Sequence, residues 1–388
     1  MREPSDNNGH KSNIFVRILA LIVTAALVLG ALLLVVFHDR LNIDALKRYL
    51  TYRSLETSDT GEAVPFTHAG GDKLSLAYLD SGVLQASTSG AHYYSFAGEQ
   101  FTEEVLAMVN PVLSSTRKAG VVYDAGGQSL FLFKDGSQAF QLTLDGNADI
   151  LSARVNDAGW LAVTAQQSGY KGAVTVYNDI GEKVIQIKLS STFVIDAALS
   201  PDSKTVAVVT MDQKGGSFVS KLLLYPVNET KPKSEIDLGS IVALDLDYES
   251  GQIWVLGEDQ LKIVPTNGGD IASYPFGRYY LKGCEFGGNN FALLLLGNYR
   301  TGSASDVLVI SPDGTSAANL APNGQILAFD CAGSYCSLLT GTGLNIYSST
   351  LEPYASLDTT QGARYTALAP DGSALLANDQ KAWLYIPG

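Results

Sequence analysis

A chain of 388 residues with 38 Gly, 19 Tyr and only 17% charged residues is turn-rich, and it has room for two or three ordinary domains or for one large repeat array. No low-complexity or strongly charged block of the kind that stays disordered is present. The net charge of −13 divides unevenly, with +3 on residues 1–54 and −16 on the remainder. So acidic a globular part offers no cluster of Lys and Arg to a phosphate backbone, which excludes nucleic acid as the expected partner.

Residues 1–13 form a short polar tail, read as cytoplasmic. Residues 14–37 follow as 24 positions whose only charged member is Arg17. At 1.5 Å per residue the run is ~36 Å long, enough to cross a hydrocarbon core of ~30 Å. A cleaved signal peptide has an apolar region of only ~7–15 residues, so the run predicts an uncleaved single-pass transmembrane helix. Arg2, Lys11 and Arg17 lie on one side of it and Arg40, Lys47, Arg48 and Arg53 on the other, so the positive-inside count does not favour an N-inside topology, although long domains are translocated largely regardless of flanking charge. A short tail before a first span is the usual form of a signal anchor, which favours a cell-membrane protein with an extracytoplasmic large domain. Residues 38–61 read as a juxtamembrane helix and a polar linker. Ile43, Leu46 and Leu50 share one helical face there, either continuing the anchor or meeting anionic headgroups or a partner.

From residue 62 onward the pattern is that of strands. Residues 193–227 show one complete module: apolar runs at 194–199, 205–210 and 218–227, separated by the turn Ser200-Pro201-Asp202-Ser203-Lys204 and by a loop at 211–216. That is an antiparallel meander. Related units recur at 151–164, 243–255 and 367–376, and a period of roughly 40 residues marks an all-β β-propeller. Blades are predicted at 72–109, 111–144, 149–190, 193–238, 241–274, 279–320, 325–357 and 364–386. The count is eight, with seven as the alternative, because 101–108 also reads as a helical turn. The last blade has room for three strands and residues 62–68 are a spare one, so the ring is expected to close by pairing its two ends in one blade, which removes the exposed edges. The propeller domain is thus 62–388.

Four segments, 41–55, Val122-Tyr123-Asp124-Ala125-Gly126-Gly127, 169–178 and 194–209, resemble an uncharacterised family of bacterial, mainly Gram-positive, single-pass, N-terminally anchored β-propellers of unknown function. The resemblance covers almost the whole chain and implies no catalytic residue. The Ser200-Pro201-Asp202 and Ala369-Pro370-Asp371-Gly372 turns are also distantly similar to quinoprotein-like and TolB-like propellers, although a hairpin alone explains such turns.

Little in the sequence points to chemistry. Of four His, only His68 and His92 fall in the propeller, without metal-ligand spacing. Ser115-Thr116-Arg117-Lys118 matches S-x-x-K but precedes a strand at 119–123 instead of opening a helix. Asp245, Asp247, Glu249 and Gly251 imitate the start of a calcium loop without its closing Glu and read as solvated turn carboxylates. Asn228-Glu229-Thr230 is a glycosylation sequon of little weight in a bacterial chain. Trp160, Trp254 and Trp383 read as blade-packing aromatics, not as a quinone ring. No catalytic, cofactor or metal residue is therefore expected. Cys331 and Cys336 stand at the ends of two strands joined by a four-residue turn at 332–335, which makes them a candidate disulfide, with small apolar core residues as the competing reading; Cys284 is expected to stay a free thiol. The functional expectation is a non-enzymatic scaffold binding a protein or envelope polymer. Its alternatives are a sensor or assembly factor signalling through the membrane helix and an envelope enzyme of quinoprotein-like type.

Overall fold

The structure, a computed structural model, describes residues 14–36, 43–146, 148–249, 251–267 and 269–388. Residues 1–53 and 54–388 form two units. The first contains helix α1 (Ile14–Val36) and helix α2 (Ile43–Tyr52), the latter carrying Lys47 3.0 Å from Asp44 one turn away. The predicted tail and Phe37 lie outside the described residues. In α1, side chains are described only for 16–25, 28 and 29, and among the described residues no helix is long and apolar enough to cross a membrane.

The second unit is built of eight four-stranded antiparallel sheets, and seven of them are simple meanders in chain order. First strands run Ser75–Leu79, Pro111–Ser115, Ile150–Val155, Phe193–Leu199, Ala243–Glu249, Tyr280–Gly288, Ile326–Ala332 and Tyr365–Leu368 in blades 1 to 8. Those of neighbouring blades pack against one another from blade 1 to blade 5 and from blade 6 through blade 8 back to blade 1, and blade 5 meets blade 6 through the layer that holds Trp254 and Phe286, so they form the innermost layer of a closed ring. The eight-blade reading therefore holds and the seven-blade alternative falls: Gln100–Val105, which overlaps the stretch that could have been a helical turn, is the outer strand of blade 1.

Alternating apolar residues on both faces of the inner three strands make the core a series of layers between blades. Val174, Val176 and Ile187 of blade 3, for example, pack on Val206, Val208 and Tyr225 of blade 4. Trp254 and Trp383 are almost wholly buried in such layers, and the Trp254 ring lies 6.3 Å from Phe286 of the next blade.

Two local expectations change. The stretch 211–216 is not a loop, because Thr205–Lys214 and Ser217–Pro226 pair along their full length down to Lys214 opposite Ser217. Gly215 and Gly216 have φ of +60° and +87°, the conformation a two-residue hairpin turn requires and glycine adopts without strain. Closure uses less strand than 62–68: Phe66–Thr67 pairs with Lys381–Tyr385 and Glu62 bridges to Tyr385, while Pro65 between them has no N–H to give to a ladder.

Candidate functional site

In blades 3 to 7 the first strand is interrupted near its start by a one-residue register shift, at Leu151, Ile195, Leu244, Lys282 and Leu327 in turn. Each bulge pushes its own residue out of the ladder and sets which residues beyond it face the axis. With a side-chain period of two, the axial positions after the bulge include Ser152 and Arg154 in blade 3, Asp196 in blade 4, Asp245 and Asp247 in blade 5, Glu285 in blade 6 and Asp330 in blade 7. Five carboxylates and one guanidinium thus meet around the axis.

Arg154 joins two of them. Its Nε donates to Asp196 Oδ2 at 2.6 Å and its Nη2 to Asp245 Oδ1. Asp196 also accepts from Ser152 Oγ at 2.6 Å and from the Ala197 amide at 2.8 Å, so its buried charge is fully matched. Burial works against the guanidinium charge, but Asp196 and Asp245 outweigh it and hold Arg154 above its usual range. Burial pushes Asp245 upward against the pull of Arg154, and it raises Asp247 to about 6. Asp330 is lifted to about 7 by burial although it accepts from the Leu368 and Cys331 amides at 2.6 and 2.8 Å. Burial and the neighbouring Asp330 carry Glu285 well above the carboxylate range, and burial with Asp247 and Asp157 brings Glu249 to about 8.

These side chains line an axial cavity of about 540 Å³. Blades 5 to 7 supply an acidic wall of Asp245, Asp247, Glu285 and Asp330. Facing it, blades 1 and 2 supply Leu76, Val112 and Leu113, with Ser114 and Ser115, and Arg117 lies near the end, paired with Asp80 at 3.1 Å.

Asp245, Asp247 and Glu249 are therefore not solvated turn carboxylates. The strand extends through Glu249, and burial of its axial face draws the first two into the channel. The signal for this was the alternation Asp245, Leu246, Asp247, Tyr248, Glu249, which puts the acids on one strand face and the apolar residues on the other. Ser115 ends a strand and Lys118 precedes the next, Ala119–Asp124, as expected for a turn. His68 is buried with its ring nitrogens 2.9 Å from the carbonyl oxygens of Ala69 and Asn378. His92 is buried in blade 1, its imidazole held below its ordinary range by burial. Among the described residues no group of three or more His, Cys, Asp or Glu is arranged to hold a metal ion.

Cys331 and Cys336 are direct partners across the hairpin of blade 7, joined by the two-residue Gly333-Ser334 turn, not the expected four-residue one. Both are thiols, as is Cys284. Cys331 Sγ donates to the Glu285 carbonyl at 3.5 Å and Cys336 Sγ to the Ser348 carbonyl at 3.7 Å. Burial pushes the Cys336 thiol up to about 12 and the other two well above their usual range, which leaves all three poor nucleophiles.

Among solved structures the fold is similar to the C-terminal WD40 domain of Sif2 (TM-score 0.59, 13% identity, 83% of this chain and 99% of that one). It is also similar to the Dos1 propeller (0.57, 11%, 84% and 94%) and to apo AztD from Citrobacter koseri (0.54, 10%, 75% and 86%). At such identities the likeness extends to the fold alone. No curated protein sequence matches the chain. Residues 46–239, half of the chain, match the model of a family of unknown function (DUF5711), and the chain belongs to that family.

Proposed function

We propose that this protein is a scaffold held at the outer face of the cell membrane by residues 14–37, with the propeller outside the cytoplasm presenting one face of its ring to a protein partner. In this reading it is not an enzyme. The observation that carries it is the bulge pattern. Leu151, Leu244 and Leu327, displaced from their ladders, are 42%, 50% and 45% exposed at the end of the ring where the first strands begin. Phe193, Tyr280 and Tyr299 are exposed at the same end, since antiparallel meanders bring the first-strand starts and the second-to-third-strand turns together. Exposed apolar side chains recurring from blade to blade around one mouth mark an interaction surface. At the opposite end the hairpins carry Asp80, Asp135, Asp157, Asp179, Asp202 and Asp313, acidic turn residues. For the anchor, the apolar run and its one charge at Arg17 are the support, with the Thr24 hydroxyl satisfied by the Ala20 carbonyl at 2.8 Å.

A photo-crosslinking residue in place of Leu244, in the full chain in its own membrane, should capture a discrete protein. The same residue in place of Asp313 should not. Equal capture at both positions, or none at either, overturns the scaffold reading. Protease added to intact cells should remove the propeller; complete protection overturns the location.

A further inference from the structure

We propose that the axial cavity is a binding site for a small organic polycation of the diamine or polyamine class. Charge is the first support. The cavity presents Asp245, Asp247, Glu285 and Asp330, while of its lining cations Arg154 is already committed to Asp196 and Asp245 and Arg117 to Asp80. Protein interiors pair their buried charges, and here acidic groups outnumber basic ones.

A second support is independent of the charge count. The Glu285 carboxyl, which lines the cavity and is largely enclosed, has no hydrogen-bond or ion-pair partner among the described residues. Buried polar groups left without partners in a native structure call for an occupant.

Shape and spacing then select the class of ligand. About 540 Å³ falls in the range of small-molecule sites and far exceeds what one ion fills. The carboxylates lie on successive blades and do not converge on one point, consistent with the lack of a preformed metal cluster among the described residues. Ammonium groups separated by methylenes would meet the acids of blades 5 to 7, with the methylenes against Leu76, Val112 and Leu113 of the facing wall. Raised carboxyl pKa values at Asp247 and Asp330 mean that an incoming cation displaces protons. Affinity should therefore rise between pH 6 and pH 8, where aliphatic ammonium groups stay charged.

The test is calorimetric titration of the full-length protein in detergent with spermidine, with putrescine and with calcium chloride, for the native chain and for Glu285→Gln and Asp330→Asn. The expected result is saturable spermidine binding that is tighter at pH 8 than at pH 6 and at least tenfold weaker in each variant. Thermal melting of the same samples checks folding, and neither variant should melt earlier than the native chain. Absence of spermidine binding, binding unchanged in both variants, or calcium binding that spermidine cannot displace would overturn the proposal.

Discussion

Replacing Arg154 with Leu is expected to cost the propeller about 3–5 kcal/mol at pH 8 and markedly less at pH 5. Among the described residues the guanidinium alone is a positive group bonded to both Asp196 and Asp245, and Asp196 is buried. Without it two enclosed carboxylates lose their counter-charge. The folded variant can relieve this only by taking up protons, which the unfolded chain holds less tightly, so stability returns as pH falls. Arg154→Lys keeps the charge but cannot span both acids with a planar fork, and should fall between the two. Urea denaturation of the three proteins at pH 5 and pH 8 is the measurement. A loss below about 1 kcal/mol at pH 8, or one of equal size at both pH values, would show that the salt bridge is not what balances the channel.

The second large effect concerns closure. Deleting residues 62–68 should lower the melting temperature of the whole propeller in one transition, not fray blade 8 alone. The segment does more than complete a sheet. Ala63 donates to the Leu384 carbonyl at 2.8 Å and His68 to that of Gln380 at 3.2 Å, both in blade 8. Phe66, 8% exposed, turns the other way, its ring 5.5 Å from Tyr94 of blade 1. It leans so closely on Gly98 that a Cβ there would lie 2.2 Å from the Phe66 Cβ. The first strand thus ties the last blade to the first, and a ring held at that seam unfolds as a unit. Phe66→Ala should cost about 3 kcal/mol by cavity formation at the seam, and Gly98→Ala should weaken the same contact. An unchanged midpoint for the deletion would show that the ring does not depend on this seam.

Much of this architecture could be read from residue order. Period-two alternation in runs of four to ten residues, punctuated by Ser200-Pro201-Asp202 or Ala369-Pro370-Asp371-Gly372, places blade boundaries within a few residues because strand burial and turn chemistry are both local. The closing strand was legible for the same reason, since three strands at one end and a spare one at the other leave one economical pairing. What stayed hidden depends on distant chain segments. Asp245 is 91 residues from Arg154 and Asp330 lies in a different blade from Glu285, and only the circular arrangement brings them to one axis. Read within its own hairpin, Asp245-Leu246-Asp247 looks like a polar turn. The bulges at Leu151, Leu244 and Leu327, which turn apolar residues outward at the mouth, are likewise invisible until strand register is known.

A wild-type stability profile between pH 6.5 and pH 8.5 tests most directly the claim that the axis of this ring stores unfavourable acidic charge. Asp330 near 7, Glu249 near 8 and Glu285, raised well above the carboxylate range, keep protons in the folded chain that they lose near pH 4 when unfolded. The folded state therefore binds more protons throughout this window, and stability must fall as pH rises through it. His92, held below its usual value, acts in the opposite sense only below about 6.5, and the lowered Asp202 and Asp313 act only below about 4. Urea denaturation followed by the fluorescence of buried Trp254 and Trp383 should show a loss on the order of 3 kcal/mol from pH 6.5 to 8.5, reduced but not abolished in the Glu285→Gln, Asp330→Asn double variant, where Glu249 still releases its proton in this window. A flat or rising profile in the wild type would contradict the account.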